Sequence, residues 1–174
     1  MNSWSRKDYY YDDDCEPCKK RRKDDYDDHK NYPTIIKCGC PSSTTVPVAT
    51  TAGTTFTLAS LSLDTSKLKN PCIKLEFASN LVVDVAFVGT LSIQVFKLCG
   101  NQTTPIPVGP SWALGSLAAL SSTTFSFFVC DCDSCFKDCC TYTVVATVVG
   151  VATVGTLNIN NATLGAIATS GSGC

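Results

Sequence analysis

Twelve of the 174 residues are cysteine, and one histidine, His29, accompanies them. Thiols at roughly 7% of a chain approach the density of disulfide scaffolds. Cys15-Glu-Pro-Cys18 is a C-x-x-C pair, and residues 130–140 read CDCDSCFKDCC, so metal binding has surface appeal. A structural zinc site wants two such pairs presented by knuckle turns. Here one pair sits in a charged arm, and the others are C-x-C, a spacing that suits extended strand. Redox catalysis by a C-x-x-C needs a strand leading into a helix, a context that Cys15 and Cys18 lack. Beyond His29 there is no imidazole, which excludes Cys–His catalysis, multi-histidine metal sites and a Ser–His–Asp triad from the body of the chain. The chain is read as non-enzymatic, with no cofactor and no resident metal.

Disulfides suit the spacing better. In a strand, residues i and i+2 share a face about 6.6 Å apart, at the outer limit for a bridge between them. Cys38 with Cys40, and Cys130 with Cys132, are therefore read as adjacent rungs to a facing strand or another chain. Cys139 and Cys140 point to opposite faces of extended backbone and can serve two partners. Cys72 and Cys99 stand alone beside strand ends, as buried thiols or one internal staple. Cys174, after SGSG, is read as a tether.

The elements that must position these thiols fall into two regions. Residues 1–30 hold eight of the 14 Lys and Arg and nine of the 15 Asp and Glu; the other 144 residues hold six of each sign. Such a segment cannot bury enough apolar surface to order itself alone, so 1–37 is read as a connector arm that orders on binding. Fully extended, 37 residues span up to about 120 Å, whereas a domain of this size is roughly 35–40 Å across. The arm can therefore reach a neighbour, and repeated head to tail that contact generates a filament. Its opening, MNSWSRKDYYYDDD, has no apolar core of a secretory signal. No run is long and apolar enough to predict a transmembrane helix. The net charge of −1 gives no electrostatic reason to bind nucleic acid.

From position 38 onward the chain is rich in Thr, Val, Ser and Ala, the signature of strands. Strands are predicted near 44–50, 54–63, 72–79, 81–88, 90–98, 124–131, 141–149 and 151–159, with a last one near 162–168. Ile73, Leu75 and Phe77 face one side while Lys74 and Glu76 face the other. Ile93, Val95 and then Lys97 carry the alternation, which is read to end at Cys99. Asn80, Gly89, Gly100-Asn101 and the stretch 105–110 read as turns, and 111–122 as a short helix. About eight short strands argue for an all-β, antiparallel, jelly-roll-like sandwich over 38–174.

Several strings taken together resemble a clostridial family of small Cys-rich proteins. They are Cys38-Gly-Cys40-Pro-Ser-Ser-Thr-Thr, Asn70-Pro-Cys72-Ile-Lys-Leu-Glu-Phe, Ile93-Gln-Val-Phe-Lys-Leu-Cys99, Pro107-Val-Gly-Pro-Ser-Trp112 and Phe125-Ser-Phe-Phe-Val-Cys130-Asp-Cys132. In size, Thr/Val-rich strands and Cys-bearing connector, the chain is also similar to subunits of bacterial endospore appendages. That resemblance implies a jelly-roll protomer whose connector forms disulfides with preceding subunits of a pilus-like fibre. By the same resemblance Cys15 and Cys18 are connector thiols, and acceptors lie among Cys38, Cys40, Cys132, Cys135, Cys139 and Cys140. With Cys174 these are the candidate between-chain thiols; Cys72, Cys99 and Cys130 are the candidate internal or buried ones.

The expected function is a structural subunit of a self-assembling, disulfide-cross-linked helical homopolymer, with other spore-surface or fibre-tip proteins as further partners. Mother-cell lysis would place it on the spore surface. The alternatives are a Cys-rich metal-binding surface protein, including a Ca²⁺ site at Asp131, Asp133 and Asp138, or a jelly-roll carbohydrate-binding module using Trp112, Tyr142 or the pair Asp131 and Asp133. The run 143–156 also suits cross-β stacking, a further fibre-type alternative.

Overall fold

Alternation of apolar and polar residues dominates the strands of the computed structural model, which describes residues 34–100, 102–131 and 139–170. The described residues form nine strands: β1 (Thr34–Cys38), β2 (Ser42–Val46), β3 (Thr55–Asp64), β4 (Pro71–Val83), β5 (Val88–Cys99), β6 (Ile106–Leu114), β7 (Ser121–Asp131), β8 (Cys139–Val154) and β9 (Leu157–Ser170). They make two antiparallel sheets. One runs β1-β9-β4-β7, with β2 also on β9, and the other runs β3-β8-β5-β6.

From β3 to β5 and again from β6 to β9 the chain changes sheet at every connection, so each sheet interleaves early and late strands. That interleaving is the jelly-roll topology. Strands β1 and β2 act as one broken edge strand. Residues 34–38 pair with 165–169 and residues 42–46 with 157–162, along successive halves of β9. The break falls at Gly39, whose N–H donates to the Leu164 carbonyl at 2.8 Å. A Cβ there would lie 2.6 Å from the Ser60 carbonyl oxygen of β3, in the other sheet. Glycine is what lets the edge close onto β3. The opposite edge closes likewise at Gly109 of β6, where φ is +67° and a Cβ would collide with Val129 of β7.

The core lies between the sheets. Ile73, Leu75, Phe77 and Leu81 of β4 are buried with Leu91, Ile93 and Val95 of β5, Val144 and Val148 of β8, and Leu157, Ile159 and Leu164 of β9. Each such side chain contributes about 1.5–3 kcal/mol by leaving water.

Several expected boundaries move. The sheet begins at Thr34, inside the segment read as arm. Asn80 does not end a strand; β4 runs on through a bulge there, with the Ser122 hydroxyl donating to Asn80 Oδ1 at 3.1 Å. Residues 141–149 and 151–159 are not two strands: β8 continues through Gly150 to Val154 and β9 starts at Leu157. The helix expected at 111–122 is absent. β6 carries through Leu114, because Trp112 pairs with Ile93 and its ring stacks on Phe127 at 4.1 Å. Pro107 and Pro110 are tolerated there because β6 is an edge strand.

Candidate functional site

Two parts of the domain concentrate reactive groups. The first is the outer face of the sheet containing β4. Side chains directly opposite one another share a face, so the register defines rows across β1, β9, β4 and β7. One row is Ile36, Ile167, Lys74 and Cys130; the next is Cys38, Gly165, Glu76 and Phe128. Cys38 and Cys130 are both exposed and free. Three interstrand steps and one row separate them, about 15 Å, far beyond the roughly 7 Å limit for a disulfide between them.

The same face is unusually apolar for a solvated one. Ile36 is 72% exposed and Phe128 63%, with Ile167 partly exposed beside them. A shallow groove of ≈ 540 Å³ runs over Glu76, Ala78, Ser126, Phe128, Thr163 and Gly165, where small residues of β9 and β4 leave a trough next to Phe128. Lys74 Nζ sits 2.5 Å from Glu76 Oε1 and 5.2 Å from the centre of the Phe128 ring. An exposed pair of this kind contributes little to stability.

The second part is the core at the end of the sandwich where β5, β7 and β8 finish or begin. Cys99 and Cys140, directly opposite on β5 and β8, are disulfide-bonded. Two residues back on the same inward row, Lys97 lies opposite Tyr142. From the facing sheet Asp131 of β7 reaches between them. Lys97 Nζ donates to Asp131 Oδ1 at 2.9 Å and Oδ2 at 2.8 Å, and the Tyr142 hydroxyl donates to Oδ2 at 2.8 Å. All three residues are buried: Lys97 is 6% exposed, Asp131 3% and Tyr142 0%. Burial, then the charge of Asp131 and its hydrogen bond, push the Tyr142 hydroxyl far above the usual phenol range, so it remains a proton donor.

These placements revise the assignment of the thiols. Cys140, expected to bridge chains, is bonded inside the chain to Cys99. Cys40 and Cys139, expected in the same role, are disulfide-bonded within this single chain, as is Cys72. Cys130, expected to be internal or buried, is exposed and free, because Asp131 and not Cys130 takes the inward position of β7. Cys15, Cys18, Cys132, Cys135 and Cys174 lie outside the described residues, as do Asp133 and Asp138.

Of the residues named for carbohydrate or Ca²⁺ binding, Asp131 and Tyr142 are buried, and Trp112 is half-buried. Asp131 is engaged by Lys97 and Tyr142 in the interior, and Trp112 is stacked on Phe127. Among the described residues no group of three or more His, Cys, Asp or Glu is placed to hold a metal ion. No helix among them is long and apolar enough to cross a membrane.

The buried cluster escaped the reading of the sequence although its signal was there. Lys97 continues the inward row of Ile93 and Val95, Asp131 that of Val129, and Tyr142 that of Val144 and Ala146. Strict alternation places all three inside. Local alternation does not say which residues of the facing sheet meet, and that pairing concealed them.

The architecture is that of an antiparallel jelly-roll β-sandwich. The chain belongs to the DUF4489 family, described as a domain of unknown function, which it matches over residues 32–169. No curated protein matches it. Among solved structures it is similar to that of infectious bursal disease virus, Gt strain, at 13% identity and a TM-score of 0.45, covering 80% of this chain and 38% of that one. The VP2 subviral particle of the same virus gives 13% identity and a TM-score of 0.43, over 85% and 40%. A structure of carbohydrate-binding modules of the β-sandwich superfamily gives 8% and 0.34, over 74% and 55%. The chain thus spans about two fifths of the viral chains and just over half of that module's chain.

Proposed function

We propose that the protein is a non-enzymatic structural subunit that assembles with copies of itself into a disulfide-linked surface fibre of the endospore-appendage or pilus-like kind. The observation that carries this reading is the outer face of the β4 sheet, where Cys38 and Cys130 are exposed, free and too far apart to bond each other. Among the described residues neither has a free thiol within bonding reach. Exposed Ile36, Phe128 and Ile167 add apolar area of the sort that contact surfaces use.

In this reading the charged arm, with Cys15 and Cys18, supplies the linking segment, since its extended length exceeds the width of the domain. Joining two thiols releases two electrons and two protons. Molecular oxygen, met once the mother cell lyses, accepts them, and the same lysis leaves the fibre on the spore surface. Other spore-surface or fibre-tip proteins are further partners.

Electrophoresis of the purified full-length protein tests the reading. Without reductant, boiled samples are expected to run as a ladder of covalent multimers that collapses to monomer on adding reductant. The Cys38→Ser, Cys130→Ser double variant is expected to lose most of that ladder while its domain still folds. A free monomer in boiled, unreduced assemblies would sink the proposal.

A further inference from the structure

We propose that Lys97 and Asp131 condense with each other, Nζ onto Cγ, to form an intramolecular isopeptide bond that ties the two sheets of the sandwich together. The starting arrangement is the one described above. A nitrogen 2.8–2.9 Å from both oxygens of one carboxylate is also in contact with the carbon between them. Reacting atoms held about 3–3.5 Å apart, with no translational freedom left to lose, are what turn a slow encounter into an intramolecular reaction. The torsion that turns the Asp131 carboxyl is broad and roughly two-fold, so its face can rotate toward the nitrogen.

Burial supplies the driving force. A lysine is almost never fully buried unless paired, and an ion pair removed from water regains its desolvation cost only with good additional bonds. The first step is proton transfer from the Lys97 ammonium to Asp131 Oδ1, along the hydrogen bond that already joins them. The amine lone pair then attacks Cγ, and the developing negative charge collects on Oδ2. There the Tyr142 hydroxyl already donates at 2.8 Å, a hydrogen-bond donor aimed at the oxygen where charge appears. A second proton passes from nitrogen to the Oδ1 hydroxyl, the C–O bond breaks, and water leaves. One C–N bond has formed, one C–O bond has broken, and nothing is oxidised or reduced. The product is a neutral amide whose carbonyl keeps the Tyr142 hydrogen bond, and both buried charges are gone.

The topology suits such a bond. Cys99–Cys140 joins β5 to β8 inside one sheet, whereas the isopeptide joins β5 to β7 across the two. It does not depend on the fibre reading, and its test is independent of assembly. The full-length protein, reduced and denatured, is expected to have an intact mass one water below that of its sequence. A protease digest is expected to contain a branched peptide joining Lys97 to Asp131. Lys97→Arg is expected to restore the full mass. Tyr142→Phe is expected to slow bond formation after refolding by about 100-fold, the effect of deleting one oxyanion donor. A wild-type mass equal to the sequence mass, or a missing water that survives Lys97→Arg, overturns the proposal. Bond formation at an unchanged rate in Tyr142→Phe overturns the role given to the hydroxyl.

Discussion

Lys74 and Lys97 occupy consecutive strands of the same domain and live in opposite worlds. Lys74 stands on the outer face of β4 among exposed Glu76, Phe128 and Cys130, where water screens its charge. Lys97 stands in the interior of β5, held by both oxygens of Asp131 next to Tyr142 and the Cys99–Cys140 bond. The two regions divide the chemistry of the thiols in the same way. In the interior Cys99 and Cys140 are bonded to each other; on the outer face Cys38 and Cys130 are free. A protein with many cysteines can thus use one set to finish its own fold and hold another ready for contact.

Charge removal breaks the comparison most sharply. Lys97→Met removes the cation that donates to both Asp131 oxygens and is expected to cost about 3–5 kcal/mol, read as a lower urea midpoint. Lys74→Met is expected to change it by less than about 1 kcal/mol. Similar losses at the two sites would mean that the outer face is covered in the folded chain.

Removing the inner disulfide comes next. The Cys99→Ala, Cys140→Ala double variant is expected to lose about 2–4 kcal/mol. The bond closes a separation of 41 residues, long enough for a substantial loop-entropy effect. An unchanged midpoint would show that the strand ladder alone fixes this end of the sandwich.

The pH dependence of stability separates the regions further. Tyr142 has a folded-state pKa raised by burial and by Asp131. Its contribution is fully present below the unfolded phenol value near 10 and is lost as pH rises above it. The expected slope above about pH 10 is near 1.4 kcal/mol per pH unit for that one proton. Tyr142→Phe should flatten it, and a slope that persists in the variant would assign the alkaline loss to other groups.

The smallest effects belong to the outer thiols. Cys38→Ser and Cys130→Ser are each expected to shift monomer stability by less than about 0.5 kcal/mol. Alkylation of the native, unreduced protein, read by peptide mapping, should modify Cys38 and Cys130 and spare Cys99 and Cys140. Labelling of Cys99 or Cys140 without reductant would erase the division.

Much of the architecture was legible in the sequence, and particular residues show why. Ile73, Leu75 and Phe77 against Lys74 and Glu76 declare a strand with one buried face, since a period of two has only one geometric meaning. The same rule in β5 puts Lys97 on the row of Ile93 and Val95, but it does not say that Asp131 of the facing sheet meets it. Trp112 looked helical in its Ala- and Leu-rich surroundings, but a ring that can stack on Phe127 outweighs local propensity. Asn80 read as a turn and Gly150 fell between two predicted strands, yet a bulge and a positive φ let both strands run on.

The sequence by itself determined that the domain is an antiparallel β-sandwich, that charge is concentrated in the first 30 residues, and that imidazole chemistry is absent from the body of the chain. Those are matters of composition and local periodicity, which each segment carries alone. Only the tertiary structure decided which thiols meet, that Cys130 looks outward while Asp131 looks in, and that Lys97 and Asp131 share a dry interior. Those facts depend on the register between strands and the order of strands in the sheets. Residues 97 and 131 become neighbours only when β5 and β7, in different sheets, close over one core.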